Sequence, residues 1–150
     1  MLIGREEICA MIPHAGTMCL LDSVQNWDEL AIVCHSTSHQ SPHNPLIKNG
    51  RLSSIHAVEY GAQAMAVHGC LLAQAKGERL KPGYLAALKE VKLHRAYLDD
   101  IAEPLTIKAE QLIAGSGNLM YTFEVFAGKH TVATARATVI TQTATQIATQ

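Results

Sequence analysis

Residues 55–75, with the sequence IHAVEYGAQAMAVHGCLLAQA, decide the fold. Fourteen of these 21 residues are apolar, and they fall on nearly all sides of the helix that the stretch would form. A membrane span needs about 20 predominantly apolar residues with few or no charges, whereas this stretch is rich in alanine and is interrupted by Glu59 and Gln63. A helix that is apolar all round is normally buried. In a chain of 150 residues, only a sheet wrapped around the helix could bury it.

The segments around this helix predict such a sheet. Strand patterns are found in residues 20–27 and 31–38 before the helix, and in four segments that begin near residues 85, 105, 119 and 131 after it. In the last segments apolar residues recur at every second position, which is typical of strands with one buried face. Together with a short helix over residues 5–11, the order indicates an α+β protein whose antiparallel sheet curls around one helix. We expect a single domain over residues 1–140 and a fraying low-complexity tail over 141–150.

The composition excludes several classes of protein. Twelve Lys and Arg balance thirteen Asp and Glu, which gives a net charge of −1. Such a balance does not favour binding to nucleic acid or to an anionic membrane. The N-terminus lacks the pattern of a secretory signal. Because the four cysteines show no C-x-x-C pair or framework spacing, we expect reduced thiols in a cytoplasmic protein.

Glu59 is the most informative residue of the helix. It lies among apolar residues, and Gln63 and His56 fall within roughly 60° of it on a helix of about 3.6 residues per turn. A charged carboxylate in such surroundings costs several kcal/mol unless it is paired. Burial would therefore keep Glu59 protonated, as a general acid requires. The alternative is a structural glutamate that is hydrogen-bonded to Gln63 or His56.

His35, His39 and His43 recur at every fourth position. On a helix they would form one face and suggest zinc, but the serines and proline around them argue against a helix. On a strand they would lie too far apart to share one ion, and we predict no metal site. We interpret His39 and His43 as candidate acid/base groups in a long loop over residues 39–54, because loops of this length are usually functional. His14, in a Pro-His turn, is expected to be structural.

Three motifs together resemble one enzyme family. Residues 12–22 (IPHAGTMCLLD) are similar to the pattern L-P-H-R-x-P-F-L-L-V-D of the FabZ-type 3-hydroxyacyl–acyl carrier protein dehydratases, and residues 58–64 (VEYGAQA) to their helix motif L-E-A-M-A-Q-A. Residues 92–95 (KLHR) look like their R-F-K-R strand, and the three motifs keep their order over about 100 residues. Residues 44–46 (NPL) and 50–52 (GRL), followed by residues 59–63 (EYGAQ), look closest to the divergent ApeP-like branch of aryl-polyene clusters. The resemblance implies the hotdog fold, a long helix wrapped by an antiparallel sheet.

The resemblance also implies roles for individual residues. Glu59 matches the catalytic acid of the family. The family's catalytic histidine belongs to an H-F-P-G loop fourteen positions before the acid, where this chain has Pro45. The nearest substitutes are His43, sixteen positions before Glu59, and His39, twenty positions before it. The family uses a glycine amide at the helix start as an oxyanion donor, and Ser54 occupies that position.

The remaining matches concern support and partners. Gln63 matches a glutamine that supports the site. Lys92, His94 and Arg95 match the basic strand, and we expect them to bind an acidic acyl carrier protein. No metal or redox cofactor is implied, because the acyl group arrives on the phosphopantetheine of the carrier. In the family the base and the acid come from different protomers, which predicts a homodimer or a heterodimer with a related dehydratase.

The expected reaction is elimination of water from a 3-hydroxyacyl thioester, a lyase step of fatty acid or polyketide biosynthesis. His43 or His39 would remove the C2 proton, and Glu59 would protonate the departing 3-hydroxyl group. Two alternatives remain open. One is a hotdog acyl thioesterase in which Glu59 activates water, and the other is a catalytically poor binding subunit that pairs with a true dehydratase.

Overall fold

Two helices and seven strands form the part of the chain that the computed structural model describes, which is residues 2–12, 18–78, 83–115 and 118–141. In chain order the elements are β1 Ile3–Gly4, α1 Arg5–Met11, β2 Ser23–Trp27, β3 Ala31–Ser36, α2 Ala57–Ala75, β4 Gly83–Leu93, β5 Leu105–Gly115, β6 Asn118–Ala127 and β7 His130–Thr141. Short 3₁₀ turns lie at Ser38–Gln40 and directly before α2 at Ser54–His56.

All seven strands belong to one antiparallel sheet in the order β1-β2-β3-β5-β6-β7-β4. β4 follows α2 in the sequence but pairs with β7, so that it forms one edge of the sheet while β1 forms the other. α2 packs against β3, β5, β6 and β7. The predicted architecture, one long helix against an antiparallel sheet, is confirmed.

The hydrophobic core lies between α2 and the sheet. Tyr60 and Val67 of α2 and Ile107 of β5 have no exposed surface. Burial of one such aliphatic side chain stabilises the fold by about 1.5–3 kcal/mol. Gly61 permits the close approach of the sheet, because a Cβ atom at this position would overlap the ring of Phe123.

Two predicted elements are shorter than expected. β2 begins at Ser23 instead of residue 20, because the amide of Leu20 donates to the side chain of Gln63 and not to a neighbouring strand. β3 ends at Ser36, and the chain then enters the 3₁₀ turn at Ser38–Gln40. In both places a tertiary contact or a turn replaces the strand hydrogen bonds that the local pattern predicted.

The expectation that all four cysteines are reduced thiols is wrong for Cys9 and Cys19, which form a disulfide. α1 folds back on the segment before β2 and brings their Cα atoms within 5.7 Å, a normal spacing for a disulfide. Cys34 and Cys70 are free. Burial raises the pKa of the Cys34 thiol to about 12, so this thiol is unreactive.

Some predictions fall on residues outside the described ranges, namely the role of His14 and the fraying of the tail beyond residue 141. Among the helices that are described, none is long and apolar enough to cross a bilayer.

Candidate functional site

Glu59 lies in the first turn of α2 and is half-buried. Gln63, one helical turn later, donates a hydrogen bond from its side-chain Nε2 to Glu59 Oε1 at 3.3 Å. Gln63 is one of the two hydrogen-bond partners, Gln63 and His56, that the sequence suggested for a structural Glu59. Full burial of the carboxyl group, which was expected from the apolar surroundings in sequence, is not found, because the side chain keeps part of its surface exposed.

Gln63 is itself buried and holds a distant segment of the chain. Its Oε1 accepts a hydrogen bond from the amide of Leu20 at 2.9 Å, and its Nε2 donates to the carbonyl oxygen of Met18 at 2.6 Å. One side chain therefore links the strip of chain before β2 to the carboxylate of Glu59. The side-chain amide of Gln63 is therefore fixed through both its oxygen and its nitrogen.

A buried polar network lies next to this pair, and the sequence motifs did not reveal it. The hydroxyl groups of Tyr60 and Ser38 lie 2.7 Å apart, and Asn44 Nδ2 donates to Tyr60 Oη at 3.3 Å and to the carbonyl oxygen of Ser38 at 2.9 Å. Ser38 Oγ also donates to the carbonyl oxygen of Leu20 at 2.8 Å. The network fixes the loop after β3 against α2. The sequence signal that could have revealed this network is the cluster of Ser and Asn residues in the loop after β3.

His39 belongs to the same loop and is 1% exposed. Its Nε2 lies 3.1 Å from the carbonyl oxygen of Ile101. Because a carbonyl oxygen only accepts, Nε2 carries the proton and Nδ1 is left as a free acceptor. Nδ1 is buried and has no hydrogen-bond partner in the described part of the chain. Burial lowers the pKa of His39, which favours the neutral ring.

His43 differs from His39 because its side chain is exposed. No hydrogen bond or ion pair among the described residues joins either histidine to Glu59. His35, His39 and His43 are not brought together either, and no group of three or more His, Cys, Asp or Glu in the described ranges could hold a metal ion. Within the described part of the chain, the acid candidate is thus hydrogen-bonded to neither His39 nor His43.

The amide of Ser54, the expected oxyanion donor, takes part in a backbone hydrogen bond. The Ser54 amide donates to the carbonyl oxygen of Ala96 at 3.0 Å. The next amide, of Ile55, donates to Ser53 Oγ at 3.3 Å, and the amide of His56 donates to the carbonyl oxygen of Ser53 at 3.1 Å. The helix start is docked on the segment after β4, so its first amides are already used within the protomer.

The three residues expected to bind the carrier, Lys92, His94 and Arg95, are exposed at the end of β4. None of them forms an ion pair with another residue of the described ranges. Arg51 is different: it bonds to Asp99 and Asp100, both at 2.9 Å, and its guanidinium lies 3.7 Å from the centre of the Tyr97 ring.

The long central helix packed against one antiparallel sheet is the hotdog fold. The chain belongs to the ApeP-like family, described as ApeP dehydratase, which matches residues 6–150. The resemblance to the ApeP-like dehydratases is therefore confirmed. A comparison with the curated proteins gives no match.

Solved structures show the same fold. The dehydratase heterocomplex ApeI:P from Xenorhabdus doucetiae matches with a TM-score of 0.81 and 21% identity, over 95% of both chains. A putative thioesterase from Silicibacter sp. TM1040 matches with a TM-score of 0.65 and 11% identity, over 95% of this chain and 94% of that chain. A mutant thioesterase from Pseudomonas aeruginosa matches with a TM-score of 0.63 and 10% identity, over 93% of this chain and 94% of that chain.

Proposed function

We propose that the protein dehydrates 3-hydroxyacyl thioesters carried on an acyl carrier protein and gives enoyl thioesters. The observation that carries the proposal is the half-buried carboxylate of Glu59, which Gln63 holds in the first turn of α2 in a member of a dehydratase family. Elimination of water needs one group to remove the C2 proton and one to protonate the leaving hydroxyl group. It needs no redox cofactor, and the substrate brings its own phosphopantetheine arm.

In this mechanism Glu59 is the acid and a histidine is the base. His39 has the chemistry of a base, because its Nδ1 is a free acceptor on a ring whose pKa is lowered by burial. His43, in contrast, is exposed, so that its ring is accessible to a substrate. Since neither histidine is hydrogen-bonded to Glu59 within one protomer, we propose that the base comes from a neighbouring protomer. A hydrogen-bond donor other than the Ser54 amide is then also required to stabilise the oxyanion.

A shared site requires a dimer, and β4 offers a surface for one. β4 is an edge strand, and unpaired edges invite pairing with another chain. Leu88 and Leu93 on this strand lie opposite the buried Ala137 and Ala133, yet they are 37% and 39% exposed. The two leucines therefore lie on the core-facing side of the sheet, but no described segment of this chain buries them.

We propose that a second hotdog chain pairs along β4 and covers these leucines, placing a loop histidine near Glu59. The partner is a second copy of this chain or a related dehydratase. The similar structure from Xenorhabdus doucetiae is a dehydratase heterocomplex, which supports the second arrangement. In that case this chain alone would be a poor catalyst. The proposal also places the protein in the cytoplasm with its carrier.

One assay tests the proposal. The purified protein is incubated with 3-hydroxyacyl carrier protein, alone and with a co-purified partner, and the acyl group is followed by mass spectrometry. Loss of one water, with the thioester intact, is the expected result. Release of free thiol without loss of water would contradict the proposal and indicate a thioesterase. No reaction with or without the partner would also contradict it.

A further inference from the structure

One side chain of α2 ties down the loop that carries both candidate bases. Tyr60 has no exposed surface. Its hydroxyl oxygen lies 2.7 Å from Ser38 Oγ and 3.3 Å from Asn44 Nδ2. Ser38 directly precedes His39, and Asn44 directly follows His43. Tyr60 therefore holds both ends of the stretch that contains the two histidines.

The hydrogen bonds of this tether have a defined direction. Ser38 Oγ donates its single hydrogen to the carbonyl oxygen of Leu20 at 2.8 Å, so it can only accept from Tyr60. Burial raises the pKa of Tyr60, which keeps its hydroxyl group protonated and able to donate. Asn44 Nδ2 then donates to the same hydroxyl oxygen. Because each group has one role, the loop has a fixed position relative to α2.

The opposite side of the loop is attached to the segment after β4, and the ring of His39 lies at this attachment. His39 Nε2 lies 3.1 Å from the carbonyl oxygen of Ile101, and Gln40 Nε2 donates to the same oxygen at 3.2 Å. The charged groups near the ring, Asp22 and Glu103, favour its protonated form, but burial has the larger effect and lowers the pKa of His39. The ring therefore stays neutral only while the loop stays packed.

We propose that Tyr60 is a positioning residue, whose hydroxyl group acts through Ser38 and Asn44 to hold His39 in place as the base. The inference rests on the proposed function and goes beyond it, because it selects His39 over His43 and gives a role to a side chain that does not touch the substrate. A base must lie close to the proton that it removes, and a displacement of about 1 Å can lower the rate by about 10²-fold.

Tyr60→Phe removes the hydroxyl group and leaves the ring in the core. The variant should fold, because Ser38 Oγ keeps its bond to Leu20 and Asn44 Nδ2 keeps its bond to the carbonyl oxygen of Ser38. Tyr121→Phe is the matched control, since it also removes a buried hydroxyl group, one that is bonded to a different element of the chain.

The variants are assayed for enoyl formation over a range of pH, with the partner if one is required. In Tyr60→Phe we expect kcat to fall by about 10–100-fold while KM stays unchanged. The acidic limb of the kcat/KM profile, which reports the base, should move to higher pH, because a loosened loop admits water and the pKa of His39 rises toward 6.5. Tyr121→Phe should keep the wild-type kcat and profile.

Ser38→Ala, which removes the other end of the tether, should reproduce these changes. In the double variant with Tyr60→Phe the loss of kcat should not exceed the larger of the two single losses, because both substitutions break the same connection. Normal kcat in Tyr60→Phe would overturn the inference. So would a lower kcat with an unmoved acidic limb, or a shift of the alkaline limb alone, which would place the effect on the acid.

Amide hydrogen exchange, measured without substrate, separates this inference from the proposed function. Residues 38–46 should exchange faster in Tyr60→Phe than in the wild type, and Tyr121→Phe should leave their exchange unchanged. Faster exchange would support the tether even if no dehydration is observed, in which case the proposed function alone fails. Unchanged exchange of this loop in Tyr60→Phe would overturn the inference even if the wild-type protein is a dehydratase.

Discussion

Gln63 and Glu59 lie one turn apart on α2, and the amide nitrogen of Gln63 is 3.3 Å from the carboxylate of Glu59. The same nitrogen is 2.6 Å from the carbonyl oxygen of Met18, 45 residues earlier in the chain. The position of the candidate acid is thus linked to the path of the segment before β2. This arrangement explains why a buried glutamine accompanies the glutamate. An apolar side chain could hydrogen-bond neither to the Glu59 carboxylate nor to the Met18 carbonyl oxygen.

Glu59→Gln should keep the fold and abolish most of the activity. The substitution preserves size and hydrogen bonding but removes the transferable proton, and general acid catalysis is worth about 10²–10⁴-fold in rate. The measurement is kcat for enoyl formation, with a melting curve to confirm folding. Glu78→Gln, at an exposed glutamate just beyond α2, is the control. Near-normal turnover of Glu59→Gln would remove Glu59 from the mechanism.

Gln63→Leu should destabilise the protein. The leucine has a similar size but leaves the amide of Leu20 and the carbonyl of Met18 without their partner, and an unsatisfied buried group costs about 1–3 kcal/mol. Urea denaturation should show a free energy of unfolding lowered by about that amount. Gln74→Leu, at an exposed position near the end of α2, should change it by less than about 0.5 kcal/mol. Equal effects of the two substitutions would contradict the structural role of Gln63.

Reversal of the charges at the end of β4 and just beyond it should affect only substrates that are bound to a carrier. In a double variant with Lys92→Glu and Arg95→Glu, KM for the 3-hydroxyacyl carrier protein should rise, because carrier proteins are acidic and the contacts are exposed. The KM of the wild-type protein for this substrate should also rise with salt. A short soluble thioester that lacks both carrier and phosphate is the comparison. Equal changes for both substrates would show that these residues do not touch the carrier.

Mixing two inactive variants tests whether the site is shared between protomers. A His43→Ala protomer and a Glu59→Gln protomer are combined after gentle dissociation. If the base and the acid come from different chains, each mixed dimer has one site with both lesions and one intact site, so that activity returns. If one chain supplies both groups, every site carries a lesion and nothing is regained. Repeating the experiment with His39→Ala identifies the histidine, and a monomeric mass in solution would refute the shared site directly.

Acid should destabilise the protein through its buried histidines. His68 has no exposed surface; its Nε2 donates to the carbonyl oxygen of Asp28 at 2.8 Å, and its Nδ1 accepts from the hydroxyl group of Tyr121 at 2.7 Å. Burial lowers the pKa of both His68 and His39 below the value of 6.5 for a free histidine. The unfolded chain therefore binds more protons than the folded one as the pH falls through 6.5, and the stabilising contribution present above this pH is lost below it.

The measurement is the free energy of unfolding in urea at about pH 7.5 and about pH 5.5, on either side of the histidine range. His68→Gln should be less stable at the higher pH but should lose less stability on acidification than the wild type. His43→Asn, which removes an exposed imidazole, is the matched control and should keep the wild-type pH dependence. A pH dependence that is unchanged in His68→Gln would contradict the role of this histidine.

The sequence by itself determined the architecture and the acid candidate. Residues 55–75 are apolar on nearly every side, and a helix of this kind in a short chain requires a sheet to cover it. The period of two in the later segments identified the strands, since periodicity is a local property that depends on neighbouring residues. The spacing of Glu59 and Gln63 placed them on one face of the helix, and the motifs around them were sufficient for the family.

Only the tertiary structure decided what each of these groups contacts. The pairing of Cys9 with Cys19 depends on how α1 folds back, and the use of the Ser54 amide by Ala96 depends on where the segment after β4 lies. The burial of His39 likewise depends on its contact with Ile101. Except for the two cysteines, the partners in these contacts are more than 40 residues apart, and local periodicity carries no information about the path that a loop takes between elements. For that reason the sequence pattern identified the candidate groups, but only the folded structure showed which of them are free to react.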